Sequence, residues 1–102
     1  MAKFVYIYTG GQMAETPEAQ DEAMQAWGAW FGTLGDSVTD MGNPFTNSAA
    51  VSPDGVTDGT AIRAGGYSIV SADSLDGATA LAKGCPVLTG GGTVEVYEAI
   101  EM

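Results

Sequence analysis

The chain has 102 residues, 45% of them apolar, which suits a single globular domain over residues 1–102 with a modest core. Thirteen acidic residues face three basic ones. That field repels phosphate backbones and anionic lipids, and no apolar run is long enough to span a membrane, so nucleic acid and membranes are excluded as partners. Histidine is absent. Its absence removes Ser-His-Asp and Cys-His schemes and the usual Cys/His zinc sites, so no metal or cofactor is expected.

Residues 3–9 combine aromatic and β-branched types and read as a strand rather than a signal peptide. Gly10-Gly11 breaks it. Thr16 is a good N-cap, Pro17 suits the first helical position, and Glu18, Asp21 and Glu22 favour the positive end of the helix dipole. Ala23, Trp27, Trp30, Phe31 and Leu34 follow at helical spacing, and Gly35 is a stop, so a helix is expected over 17–34. Residues 37–45 read as a second strand running into a turn. Residues 46–64 carry the turn signals Ser52-Pro53-Asp54-Gly55 and Thr57-Asp58-Gly59 and read as a mobile surface loop, with a hairpin as the alternative.

Residues 65–72 form a third strand. Asp73 or Ser74 caps a short helix at 75–83, which Gly84 ends. Cys85-Pro86-Val87-Leu88 reads as an extended connector, and Gly90-Gly91-Gly92 leads into a last strand over 93–100. The order β-α-β-β-α-β is the ferredoxin-like split pattern: an α+β fold with a four-stranded antiparallel sheet and two helices on one face.

Alternation along a strand sorts side chains between faces. With an assumed register, Val5, Ile7, Ser68, Val70, Val94 and Val96 make a small aliphatic face under the helices. Phe4, Tyr6, Tyr8, Tyr67, Ile69, Glu95 and Tyr97 make the other, which collects all four tyrosines. Two helices cover one face only. The tyrosine face is therefore expected to be buried against a second copy, where rings pack and hydroxyls find partners.

Glu95, alone among the charges assigned to that face, could act as acid or base; the plainer reading is a carboxylate hydrogen-bonded to tyrosines. Asp40 could reach a cavity mouth, or could bond local backbone in the Gly42-Asn43-Pro44 turn. Cys85 lacks an activating partner beyond Lys83 and reads as a small buried thiol. One unpaired cysteine suits a reducing, cytoplasmic setting. The glycine runs lack the context of a phosphate loop. Trp27 and Trp30 read as core or interface anchors, and Arg63 as a surface cation.

The runs Gly65-Gly66-Tyr67-Ser68-Ile69-Val70, Ala72-Asp73-Ser74-Leu75-Asp76, Ala82-Lys83-Gly84-Cys85-Pro86 and Gly91-Gly92-Thr93-Val94-Glu95-Val96, with the Met41-Gly42-Asn43-Pro44-Phe45 turn, resemble the YCII-related, or DGPF-domain, family. The resemblance spans nearly the whole chain. It implies a dimeric α+β barrel in which two sheets pack face to face around a cavity. The family's Asp-Gly-Pro-Phe signature stands here as Asp58-Gly59-Thr60-Ala61. The branch with proposed catalysis has a His-Asp pair; Met24 lies near the aligned histidine position, and Asp40 aligns with the acid.

The sequence thus points to a homodimeric domain binding a small organic molecule through Tyr6, Tyr8, Tyr67, Tyr97 and Glu95. One alternative is a cofactor-free acid-base enzyme of isomerase or lyase type using Glu95 or Asp40. Another is a structural or regulatory partner without a ligand.

Overall fold

A computed structural model describes residues 2–10, 15–57 and 64–100. Asp58-Gly59-Thr60-Ala61, Arg63 and Gly11 lie outside the described residues. The elements are β1 (Ala2–Thr9), α1 (Pro17–Leu34), β2 (Val38–Asp40), β3 (Ala50–Ser52), β4 (Gly55–Thr57), β5 (Ala64–Ala72), α2 (Leu75–Ala82) and β6 (Thr93–Glu98). Four strands form one antiparallel sheet in the order β2-β5-β1-β6, and β3 with β4 forms a separate hairpin. The fold is therefore ferredoxin-like α+β, with one hairpin added between the second and third sheet strands.

Helix caps match the sequence. Thr16 Oγ1 accepts from the Ala19 N–H at 3.1 Å and Ser74 Oγ from the Gly77 N–H at 3.0 Å, satisfying donors that each helix start leaves free. Three local readings are corrected. The 37–45 strand is only three residues long, preceded by a 3-10 turn at Gly35–Ser37. Beyond it, Phe45 N–H bonds Gly65 O and Tyr67 N–H bonds Asn43 O, so 43–45 lies along the β5 edge without being a regular strand. Cys85–Leu88 is not extended, because Pro86–Leu88 is a 3-10 turn. Between 46 and 57, the hairpin alternative is the one observed, turned at Pro53-Asp54.

The face assignment of β1 is also corrected. Antiparallel partners directly opposite each other share a face, and the register sets Tyr6 against Ser68 and Val96, and Val5 against Ile69 and Tyr97. Phe4, Tyr6 and Tyr8 therefore lie beneath the helices with Ser68, Val70, Val94 and Val96. Val5 and Ile7 face outward with Tyr67, Ile69, Glu95 and Tyr97. The four tyrosines are split two and two. A single step of parity moves a strand's whole side-chain set to the other face.

Volume explains the choice. α2 presents Ala78 and Ala82 to the sheet, both buried. Such small side chains leave space that the rings of Phe4 and Tyr6 fill, and both are fully buried. α1 contributes Trp30, which stacks on Tyr6 at 6.0 Å, and Trp27, which meets Tyr8 edge-on at 5.0 Å. Trp30 Nε1 donates to Leu81 O at 3.0 Å and so ties α1 to α2. The helix-covered tyrosines are also satisfied: Tyr6 Oη donates to Ala78 O, and Tyr8 Oη donates to Ser68 Oγ at 2.8 Å. The result is two layers, measuring 44 × 41 × 19 Å overall.

Candidate functional site

With both helices on one side, the sheet's other face carries Val5 and Ile7 from β1, Tyr67 and Ile69 from β5, and Glu95 and Tyr97 from β6. The register arranges them in rows. Ile7 lies between Tyr67 and Glu95, and Val5 lies between Ile69 and Tyr97. Most of these side chains are half-buried within the protomer, while Tyr97 is 53% exposed. Phe45 folds over the rim and stacks on Tyr67 at 5.7 Å with ring planes 17° apart.

The chemistry of this face is concentrated on β6. Glu95 and Tyr97 are two residues apart and so project the same way. Tyr97 Oη donates to Glu95 Oε2 at 2.8 Å. That bond, and the repulsion a phenolate would feel from the carboxylate, raise the Tyr97 pKa above the ordinary 10.0. The pair therefore keeps a neutral donor beside a carboxylate, an arrangement that can hold an amine or hydroxyl, or move a proton.

The predicted site residues are only partly brought together. Tyr67, Tyr97 and Glu95 share the open face. Tyr6 and Tyr8 do not; both lie in the helix-covered core. Burial pushes the Tyr6 phenol up to about 12 and the Tyr8 phenol higher still. Asp40 is separated from Glu95 as well. β2 and β6 are opposite edges of the sheet, three strand spacings or about 14 Å apart. The Asp40 carboxylate accepts from the Gly42 N–H at 2.8 Å, closing an Asx turn. Cys85 is buried, and burial pushes its thiol up to about 11, which suits a packed thiol rather than a nucleophile.

Sequence reasoning missed Val5, Ile7 and Phe45 as lining residues, and it missed a relay. Tyr8 Oη donates to Ser68 Oγ, which donates to Met41 O at 2.6 Å. Ser68 is fully buried, and the relay pins the turn after β2 to the central strands. A polar residue at an inward position of β5 was the available signal.

Elsewhere, a shallow hollow of about 380 Å³ lies on the helix side, lined by Ala26, Ala29, Trp30, Thr33, Gly84, Pro86 and Thr89. None of these lining residues is titratable. Among the described residues, no cluster of three or more His, Cys, Asp or Glu is placed to hold a metal, and no helix is long and apolar enough to cross a membrane.

The model of the YCII-related domain matches residues 2–102, essentially the entire chain. The chain belongs to the YCII-related domain family. Comparison with curated proteins and with solved structures returned no match. For this YCII-related domain, therefore, family membership fixes neither a ligand nor a reaction, and the open face carries the functional reading.

Proposed function

We propose that this YCII-related domain works as a homodimer whose open sheet faces oppose one another and enclose a site for a small organic molecule. The observation that carries the reading is a sheet that α1 and α2, among the described residues, cover on one face only, with the hydrogen-bonded Tyr97–Glu95 pair on the other. Val5, Ile7 and Ile69 form the apolar floor, Tyr67 supplies a ring, and the pair supplies polar anchors. Such a mixture of apolar lining and few polar groups is usual for small-molecule sites. The acidic residues of α1 and α2, among them Glu18, Asp21, Glu22 and Asp76, are set on the other layer, so two copies repel least through their sheets. A cytoplasmic location fits the single buried free thiol.

A thermal-shift screen against small metabolites, repeated with Glu95→Gln, tests the reading. A stabilising compound whose effect is lost in Glu95→Gln supports it. A panel that stabilises both proteins equally contradicts the assigned anchors.

The second reading is cofactor-free acid-base catalysis, favoured by the same bond. Glu95 would take a proton and Tyr97 would return one. Asp40 is a poorer base, since the Gly42 N–H already occupies its carboxylate. Turnover abolished by Glu95→Gln and unaffected by Asp40→Asn would support this reading.

A further inference from the structure

The β3–β4 hairpin pairs with no strand of the four-stranded sheet. A two-stranded hairpin is marginal in water unless its apolar face packs on something. Here that face is Val51 opposite Val56, a direct cross-strand pair whose members are 79% and 69% exposed. We infer that this hairpin is a dimerisation arm, its Val51–Val56 face lying against the body of a second copy of this chain. The inference rests on the homodimer proposed above.

Area, position and charge all favour a second copy as the occupant. Three strands about 4.8 Å apart, each offering about five residues at about 3.4 Å, with the three-residue β2 at the edge, give the open face a projected footprint of roughly 300 Å². A stable interface buries roughly 800 Å² per partner, so the sheet face needs added surface. The hairpin lies within reach of the rim of that face. Phe45 stacks on Tyr67 at the rim of the open face, and β3 starts five residues later, within about 17 Å of extended chain. The arm is also poor in charge. Between Met41 and Thr57 the only charged residue is Asp54, at the hairpin turn. Two copies of formal charge −10 can meet through such a segment with little added repulsion.

The test is sedimentation velocity over a concentration series on the full chain, comparing wild type with the double variant Val51→Asp, Val56→Asp. Both side chains are exposed in the protomer, so the variant should keep its fold, checked by far-UV circular dichroism. A dimer with both arms docked would bury four such valines, so the dimer dissociation constant should rise about 10,000-fold. The milder pair Val51→Ala, Val56→Ala should give an intermediate shift. A wild-type dimer whose constant is unchanged in both variants overturns the arm and leaves the sheet-face dimer standing. A wild-type monomer overturns both.

Discussion

Tyr97 and Glu95 are hydrogen-bonded at 2.8 Å on the face of the sheet opposite α1 and α2. They sit on β6, an edge strand whose outer side pairs with no strand among the described residues. Their bond makes the titration of the Tyr97 phenol depend on Glu95. In Glu95→Gln the hydrogen bond to a charged carboxylate and the repulsion on the phenolate are both lost, so the Tyr97 phenol should titrate closer to its ordinary 10.0. Carbon-13 NMR of the labelled tyrosine ring carbon follows this directly. An unchanged titration would mean the bond does not persist in solution.

The two classes of tyrosine should respond differently to loss of their hydroxyls. Tyr6→Phe and Tyr8→Phe remove hydrogen bonds inside the core and should cost about 1–2 kcal/mol each in urea unfolding at fixed protein concentration, with ligand affinity unchanged. Tyr97→Phe should leave protomer stability within about 0.5 kcal/mol, because its hydroxyl is on the exposed face, and should weaken ligand binding. The reverse pattern would contradict the assignment of faces.

Gly42 is the most constrained backbone position near the site. Its φ is 75°, and a Cβ there would lie 1.7 Å from the Tyr67 carbonyl oxygen. The chain must pass this close for Asn43 to bond the β5 edge. Gly42→Ala should therefore destabilise by about 3 kcal/mol or more, read from the shift in urea midpoint. A loss under about 1 kcal/mol would show that the turn after β2 can move off β5 cheaply.

Alkaline pH should unfold the protein through its core. Burial raises Cys85 from 9.0 to about 11 and Tyr6 from 10.0 to about 12, and Tyr8 also titrates above its ordinary value. Above pH 9 the unfolded chain releases these protons while the folded chain keeps them, so the unfolded state gains. The stability these groups contribute is fully present below pH 9 and falls as pH rises towards 11–12. Urea midpoints measured from pH 7 to 11 should be flat to about 9 and then drop, with a shallower drop in Cys85→Ala.

The order of elements was legible because the local signals agree. Thr16-Pro17 opens α1, the Trp27–Trp30–Phe31 stripe sets its inner face, and Ser74 opens α2. The face of β1 was not legible. Residues 4–8 are apolar or aromatic on both parities, so alternation alone does not say which side meets the helices. The choice depends on register with β5 and on the small side chains of α2, both of them nonlocal. Glu95, Tyr67 and Tyr97 were placed on one face correctly because Ser68 and Val70 give β5 a contrast between its sides, and Val94 and Val96 do the same for β6. The hairpin at 50–57 was half legible: Pro53-Asp54-Gly55 announces a turn, but its flanking strands are only three residues long.

The central claim is that the open face buries itself against a second copy. Light scattering on the eluting peak at micromolar concentration, for wild type and for Ile69→Asp, tests it most directly. Ile69 sits in the middle of that face, opposite Val5, and outside the helix-covered core. The account predicts twice the 10.4 kDa chain mass for wild type and a folded species of 10.4 kDa for Ile69→Asp. A wild-type mass of 10.4 kDa, or a dimer that survives Ile69→Asp unchanged, would contradict it.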